Sequence, residues 1–210
     1  MTKRENASMS NDYLVARQRP FEGESRSALA DVLRTAVGTG AGVTIREMAS
    51  LGFVVLRAGA GQKAAIDSLL GVPLPMVPLS SASNDELCLR WVSPTEWLVT
   101  LPAEQVAMIE ARLRGDLGDD VAVVDNSGGY ACIHLSGPAA ELVIRKSTSY
   151  DIHPRNFPAG KVVNTTFAQA QATLRRIDDQ AFELIFRRSF ADYIWRWLRD
   201  AAAEYGLEID

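Results

Sequence analysis

The pattern that decides the fold lies near the end of the chain, where residues 182–198 are FELIFRRSFADYIWRWL. Apolar residues alternate up to Phe186, as in a strand, and then recur at helical spacing. The same change occurs 85 positions earlier, where residues 97–113 are WLVTLPAEQVAMIEARL. This repetition indicates that a unit with a strand followed by a helix is present twice.

Further strands and helices are predicted outward from these two stretches. The alternating runs predict strands at 43–48, 52–57, 87–92, 97–101, 121–125, 130–135, 162–167, 172–177 and 181–186. Helical spacing predicts helices at 62–70, 103–114, 138–146 and 189–205, with Ser136 and Ser189 as N-caps of the last two. Residues 126–129 are predicted as a tight turn between paired strands. The fold class is therefore α+β, with two similar halves of mostly antiparallel sheets covered by helices.

Three segments are predicted along the chain. Residues 1–42 form an N-terminal arm with a short helix at 25–34, residues 43–120 a first α+β unit, and residues 121–210 a second. The two units together are expected to make one compact domain. Within the arm, Tyr13 and Phe21 are apolar groups that we expect to dock on a partner.

Composition narrows the functional classes. Of the 210 residues, 47% are hydrophobic and 23% charged, as is usual for globular proteins. No apolar run approaches the ~20 residues that a transmembrane helix requires, and residues 1–6 are not followed by the apolar core of a signal peptide. A net charge of −4 gives no excess of cations for nucleic acid. We expect a cytoplasmic protein that binds neither membrane nor nucleic acid.

The residues that could carry chemistry do not form a recognisable motif. The chain has two histidines: His134 lies in a predicted strand, and His153 lies in a loop where ligand binding remains open. Cys88 and Cys132 lie in apolar strands and are expected to be small buried side chains. Ser127 has neither the spacing of a phosphate loop nor that of a nucleophile elbow. We therefore expect this chain to contain no catalytic, cofactor-binding or metal-binding residues.

The C-terminal helix has more aromatic residues than one buried face needs. Its core-facing stripe is predicted as Phe190, Ile194, Trp197, Leu198 and Ala201. Tyr193 and Trp195 lie outside this stripe. We expect both to form part of a partner interface, with Trp195 contacting either a partner chain or the N-terminal arm.

Several short segments, in this order, resemble one protein family. They are RSAL (26–29), WVSPTEWL (91–98), DNS (125–127), LSGPAA (135–140), YDIHP (150–154), FPAG (157–160) and RSFADYIWRWL (188–198). The order and the chain length are similar to those of the gamma subunit of heterotetrameric sarcosine oxidase.

The resemblance implies a fold like the folate-binding domain of the glycine-cleavage T-protein, and alpha, beta and delta subunits as partners. It implies an enzyme that oxidatively demethylates sarcosine to glycine, with hydrogen peroxide formed and a one-carbon unit passed to tetrahydrofolate. The FAD, FMN, NAD and tetrahydrofolate of the complex would be held by other subunits. T-protein relatives have an acidic pair after a Gly-Gly, but residues 169–173 here contain no carboxylate. A non-catalytic structural subunit is therefore expected, and the alternative is a stand-alone folate-binding protein similar to aminomethyltransferases.

Overall fold

Two sheets and four helices make up the part of the chain that the structure, a computed structural model, describes: residues 27–29 and 40–210. The strands are β1 Val43–Glu47, β2 Leu51–Ala58, β3 Ser81–Ser83, β4 Cys88–Ser93, β5 Glu96–Pro102, β6 Val121–Asp125, β7 Tyr130–Ser136, β8 Val162–Phe167, β9 Ala170–Arg176, β10 Ala181–Arg187 and β11 Leu207–Ile209. The helices are α1 Lys63–Leu70, α2 Val106–Leu117, α3 Ala140–Ser147 and α4 Ala191–Ala202.

The five strands of the first sheet correspond in order to five of the six strands of the second. The first sheet is β3-β4-β5-β2-β6, and the second is β8-β9-β10-β7-β1-β11. Neighbouring strands are antiparallel except β1 and β11. The predicted α+β class with mostly antiparallel sheets is confirmed.

Each sheet contains one strand from the other half of the chain. Strand β1 precedes the first sheet in sequence but pairs with β7 in the second, and β6 pairs with β2 in the first. The prediction that residues 126–129 join two paired strands is therefore wrong. They form a turn that crosses from one sheet to the other, and Gly129 N–H donates to Asn126 O within it. The predicted boundary after residue 120 therefore divides the sequence into two units, but the two sheets do not follow this boundary.

The repeated sequence corresponds to repeated structure. Strand β5, the 3₁₀ turn Ala103–Gln105 and helix α2 follow one another in the first half. Strand β10, the 3₁₀ turn Arg188–Phe190 and helix α4 follow one another in the second, each starting 85 residues later. Both strands lie in the middle of their sheets.

Three hydrophobic clusters are formed by the described part of the chain. Helices α1 and α2 pack on the outer face of the first sheet, and α3 and α4 pack on the outer face of the second. A smaller cluster of Phe53, Leu98, Cys132 and Ile185 lies between the sheets. The layers therefore run helices, sheet, sheet, helices. No helix in residues 40–210 is long and apolar enough to cross a membrane.

The two predicted serine N-caps are wrong for a common reason. Ser136 still belongs to β7 and pairs with Ala181, so α3 begins only at Ala140. Ser189 lies inside a 3₁₀ turn, and α4 begins at Ala191 without a side-chain cap. In each case backbone pairing or a tight turn extends past the serine.

Most of the predicted N-terminal arm, including Tyr13 and Phe21, lies outside the described residues. In the described segment 27–29, Leu29 is buried and Ser27 Oγ donates to Glu47 Oε2 over 2.5 Å. Leu29 N–H also donates to Glu47 Oε1 at 3.2 Å. This short part of the arm therefore packs on the chain's own second sheet.

Candidate functional site between the two sheets

A buried ion pair joins the facing sides of the two sheets. Arg90 of β4 donates from Nε to Glu183 Oε1 of β10 over 2.8 Å, and from Nη2 to the same oxygen over 2.5 Å. Arg90 is 0% exposed and Glu183 is 4% exposed. Arg90 Nη1 also donates to Thr100 Oγ1 at 2.9 Å and to Cys88 O at 3.2 Å. The guanidinium thus contacts both sheets.

Strand alternation explains why these charges point inward. Leu89 and Trp91 face the helices that cover the first sheet, so Arg90 between them faces the second sheet. In the same way, Phe182 and Leu184 face α3 and α4, and Glu183 faces the first sheet. In an isolated sheet these faces would meet solvent, but here each of them is covered by the other sheet.

The pKa shifts of the pair favour the charged form of both groups. Burial would raise the pKa of Glu183, but the Arg90 charge, the nearby His134 ring and the hydrogen bonds from Arg90 outweigh it and lower that pKa to about 2. Burial likewise opposes the charge of Arg90, and Glu183 more than offsets this, so the pKa of Arg90 is raised.

Cys132 and His134 lie next to this pair on β7. His134 Nε2 is 3.6 Å from Glu183 Oε2, and the ligand atoms of Cys132, His134 and Glu183 all lie within 4.8 Å of one another. Burial raises the pKa of the Cys132 thiol well above its usual value. A cysteine must be deprotonated to bind a metal, and the raised pKa of Cys132 opposes this. Glu183 is already paired with the Arg90 cation, so these residues fit an ion-pair layer better than a metal centre. Cys88 and Cys132 are both buried, as predicted, and neither forms a disulfide.

Where β3 meets β8, the edges of the sheets are joined by hydrogen bonds. Ser81 donates to Gly160 O through its backbone N–H at 3.1 Å and through Oγ at 2.6 Å. Arg175 Nε, from β9, donates to Ser81 Oγ at 3.1 Å. Ser80 forms an antiparallel bridge with Lys161. We call these contacts the edge junction.

A crevice of about 240 Å³ opens between the sheets beside the edge junction. Leu98 and Ile185 are buried at its floor, and Asn164, Gln171, Thr173 and Glu96 are among the residues nearer its mouth. Small-molecule pockets usually measure about 300–1,000 Å³, so the crevice is small for a cofactor. Gln171 and Thr173 stand in the segment where the resemblance would place carboxylates. Glu96, the carboxylate in the lining, is paired with Arg57 Nε at 2.5 Å. The lining of this crevice therefore offers no unpaired carboxylate.

The other residues singled out by the sequence have structural contacts. Ser127 Oγ donates to Asp125 Oδ1 at 2.6 Å and accepts from Phe53 N–H at 3.0 Å. His153 lies in an exposed turn, where its Nδ1 accepts from Arg155 N–H at 3.2 Å. These contacts bring neither residue to the ion pair.

The predicted interface residues of α4 differ in exposure. Tyr193 is 37% exposed, whereas Trp195 is 2% exposed and belongs to the core of the second sheet. The expectation that Trp195 meets a partner chain is thereby corrected, because α4 buries Ala191, Ile194, Trp195 and Leu198 together. Its alternative contact, the N-terminal arm, mostly lies outside the described residues. Phe190, predicted in the core stripe, is 43% exposed because it precedes the helix.

The sequence reasoning missed the Arg90–Glu183 pair. A signal was present, since each charge interrupts an otherwise apolar run: LCLRWV at 87–92 and FELIF at 182–186. Strand alternation alone assigns such residues to a solvated face.

Comparisons with known proteins agree with this architecture. The model of the sarcosine oxidase, gamma subunit family matches residues 57–204. A sarcosine oxidase subunit gamma from Corynebacterium sp. (strain P-1) is 36% identical over 178 residues, which cover 82% of this chain and 87% of the relative.

Two solved structures are also similar. A chain of heterotetrameric sarcosine oxidase from Corynebacterium sp. U-96 superposes with a TM-score of 0.76 at 32% identity, covering 84% of this chain and 93% of that one. Glycine cleavage system aminomethyltransferase T from Bartonella henselae has a TM-score of 0.59 at 14% identity, covering 81% of this chain and 48% of that one. The second likeness concerns the fold alone. On the family match and the close relative, the chain belongs to the sarcosine oxidase gamma subunit family.

Proposed function

We propose that this chain is a non-catalytic structural subunit of a heterotetrameric, cytoplasmic sarcosine oxidase, with alpha, beta and delta subunits as its partners. The assembled enzyme would demethylate sarcosine oxidatively to glycine, with hydrogen peroxide as a product and tetrahydrofolate accepting the one-carbon unit. FAD, FMN, NAD and tetrahydrofolate would bind to the other subunits.

The observation that carries this proposal is how the polar groups between the sheets are used. Glu183 and Arg90 neutralise each other. The Nη1 group of Arg90 also donates to Thr100 Oγ1 and to the backbone carbonyl of Cys88. Ser127 is held by Asp125. Groups committed in this way hold the sheets together and are not poised to donate or accept a substrate proton.

Two measurements test the proposal. The full chain, expressed with untagged partner subunits and purified by its own tag, is expected to retain those subunits. Purified alone, it is expected to show no flavin absorption, and a flavin spectrum from the isolated chain would refute the non-catalytic assignment. A Tyr193→Ala variant should weaken retention of the partners and leave the unfolding midpoint of the isolated chain unchanged.

The alternative function, a stand-alone folate-binding protein similar to aminomethyltransferases, is favoured by the fold likeness. The small crevice and its uncharged Gln171 and Thr173 weigh against it. Calorimetric titration of the isolated chain with tetrahydrofolate separates the two functions. Micromolar binding would support the alternative, and heats equal to those of dilution would support the structural subunit.

A further inference from the structure

Strands β1 and β7 place four polar side chains on the inner face of the second sheet, away from α3 and α4. The residues that alternate with them, Ile45 on β1 and Ile133 and Leu135 on β7, are buried in the cluster under those helices. The four polar residues are Thr44, Arg46, His134 and Ser136. The register pairs Thr44 with Ser136 and Arg46 with His134, so the members of each pair lie directly across the two strands.

A pocket of about 410 Å³ opens over these four residues. Its lining also includes Leu135, Ile177, Ala181 and Asp210, and none of the described residues that line it belongs to the first sheet. Small-molecule pockets usually measure about 300–1,000 Å³. This pocket is therefore large enough for a small ligand, whereas the crevice beside the edge junction measures only about 240 Å³.

The donors that face the pocket are not bound by acceptors of the chain itself. Within residues 27–29 and 40–210, the hydroxyls of Thr44 and Ser136 and the guanidinium of Arg46 form no side-chain hydrogen bond. Asp210 Oδ2 lies 3.8 Å from Arg46 Nη1, which is beyond hydrogen-bond distance. By contrast, the hydroxyl of Ser127 donates within the chain. The pocket thus combines one cation with two hydroxyl groups that are available to a ligand.

A carboxylate group matches this set of donors. A guanidinium presents its N–H groups in a planar fork that can bind both carboxylate oxygens, and hydroxyl groups can donate to the same oxygens. Ile177 and Ala181 add apolar side chains to the lining, which suit a short alkyl group. Asp210 places a negative charge beside Arg46, and this disfavours a ligand with two negative charges.

We propose that this pocket binds a small monocarboxylate. Arg46 receives the carboxylate group, and Thr44 and Ser136 donate to its oxygens. The alkyl part of the ligand packs against Ile177 and Ala181. This binding site goes beyond the structural role proposed above and does not depend on it.

The two histidines of the chain allow a direct test by NMR. His134 lines the pocket, whereas His153 lies in an exposed turn outside it. Sodium acetate, added to the isolated full chain at constant ionic strength, should shift the ring signals of His134 saturably, with a Kd below about 10 mM. The ring signals of His153 should stay in place. Equal shifts of both histidines, or an equal shift of His134 with sodium chloride, would overturn the proposal.

Three variants identify the groups that bind the ligand. Arg46→Gln removes the cation and should raise the Kd for acetate at least about tenfold. Arg57→Gln is the matched control, because Arg57 is also an exposed strand arginine near a carboxylate but does not line the pocket, and its Kd should equal that of the wild type. Asp210→Asn removes the competing carboxylate and should lower the Kd about two- to threefold. An unchanged Kd in Arg46→Gln would overturn the proposal.

Two further probes test the charge of the ligand. Acetamide has nearly the shape of acetate but no charge, and it should leave the signals of His134 in place at concentrations at which acetate saturates. Tighter binding of inorganic phosphate than of acetate would assign the pocket to a phosphate group and overturn the monocarboxylate. All of these titrations use the isolated chain, so their failure leaves the proposed structural role intact. Loss of partner retention, in turn, would leave the binding of acetate unaffected.

Discussion

Replacing Glu183 with glutamine tests what holds the two sheets together. The substitution keeps the shape of the side chain and leaves the buried Arg90 guanidinium without a counter-ion. The pKa of Glu183 is about 2 in the folded chain, against an ordinary 4.5. This difference corresponds to about 3 kcal/mol. Loss of one partner of a buried ion pair costs about 3–5 kcal/mol. We therefore expect Glu183→Gln to lower the free energy of unfolding by at least about 3 kcal/mol.

Urea unfolding followed by circular dichroism measures this effect. Beside Glu183→Gln, the matched variants are Arg90→Met, Glu183→Leu and the double variant Arg90→Met/Glu183→Leu, which fills similar space without charge. Each single variant should be strongly destabilised, and the double variant should recover most of the loss, since an apolar replacement needs no desolvated charge. A loss below about 1 kcal/mol in Glu183→Gln, or a double variant as unstable as the two losses added together, would refute the reasoning.

The same pair gives a pH dependence of known sign. The pKa of Glu183 is depressed in the folded state, so its stabilisation is present above the unfolded value of about 4.5. It is lost as the pH falls toward about 2. Between these values the wild type should lose about 3 kcal/mol more than the double variant. Parallel pH profiles for the two proteins would show that the ion pair does not supply this stability.

Three further predictions concern the fold. Gly137→Ala should cost more than about 2 kcal/mol, because φ is 117° and an added Cβ would lie 2.6 Å from Gly42 O; Gly61→Ala, with open space around it, is the control in the same thermal unfolding assay. Trp97→Phe should cost about 1–3 kcal/mol in urea unfolding, because its buried Nε1 donates a 2.7 Å hydrogen bond to a loop carbonyl. Cutting the chain after Asp120 should give fragments that show a cooperative unfolding transition only when expressed together, since each sheet needs a strand from the other fragment.

Local periodicity was enough to find most strands and helices. Strands β6 and β8 have the predicted bounds, because their apolar and polar residues occur in short runs between clear turns. Strands β3 and β11, with three residues each, are too short for any period to show. The predictions of Ser136 and Ser189 as helix caps were wrong because a serine near the start of a helix is also common at the end of a strand or in a 3₁₀ turn.

The contacts between the sheets could not be read from local sequence. Arg90 and Glu183 are 93 residues apart, and alternation alone cannot tell a face that meets water from one that meets another sheet. Trp195 shows the same limit, because the spacing that placed it outside the core stripe assumed a helix buried on one narrow face.

The exchange of strands bears on the structural role that we propose for this chain. The two crossings between sheets are short and alike, with Met48 N–H donating to Cys132 O at 3.0 Å and Asn126 N–H donating to Phe53 O at 2.7 Å. Because each half completes the other's sheet, the sheets cannot separate to admit a substrate without breaking strand pairing in both. The charges between them are therefore fixed in a closed layer. Contacts with other molecules are therefore expected on the outside of the fold, where the edge strands β6, β8 and β11 each have one side without a strand partner among the described residues.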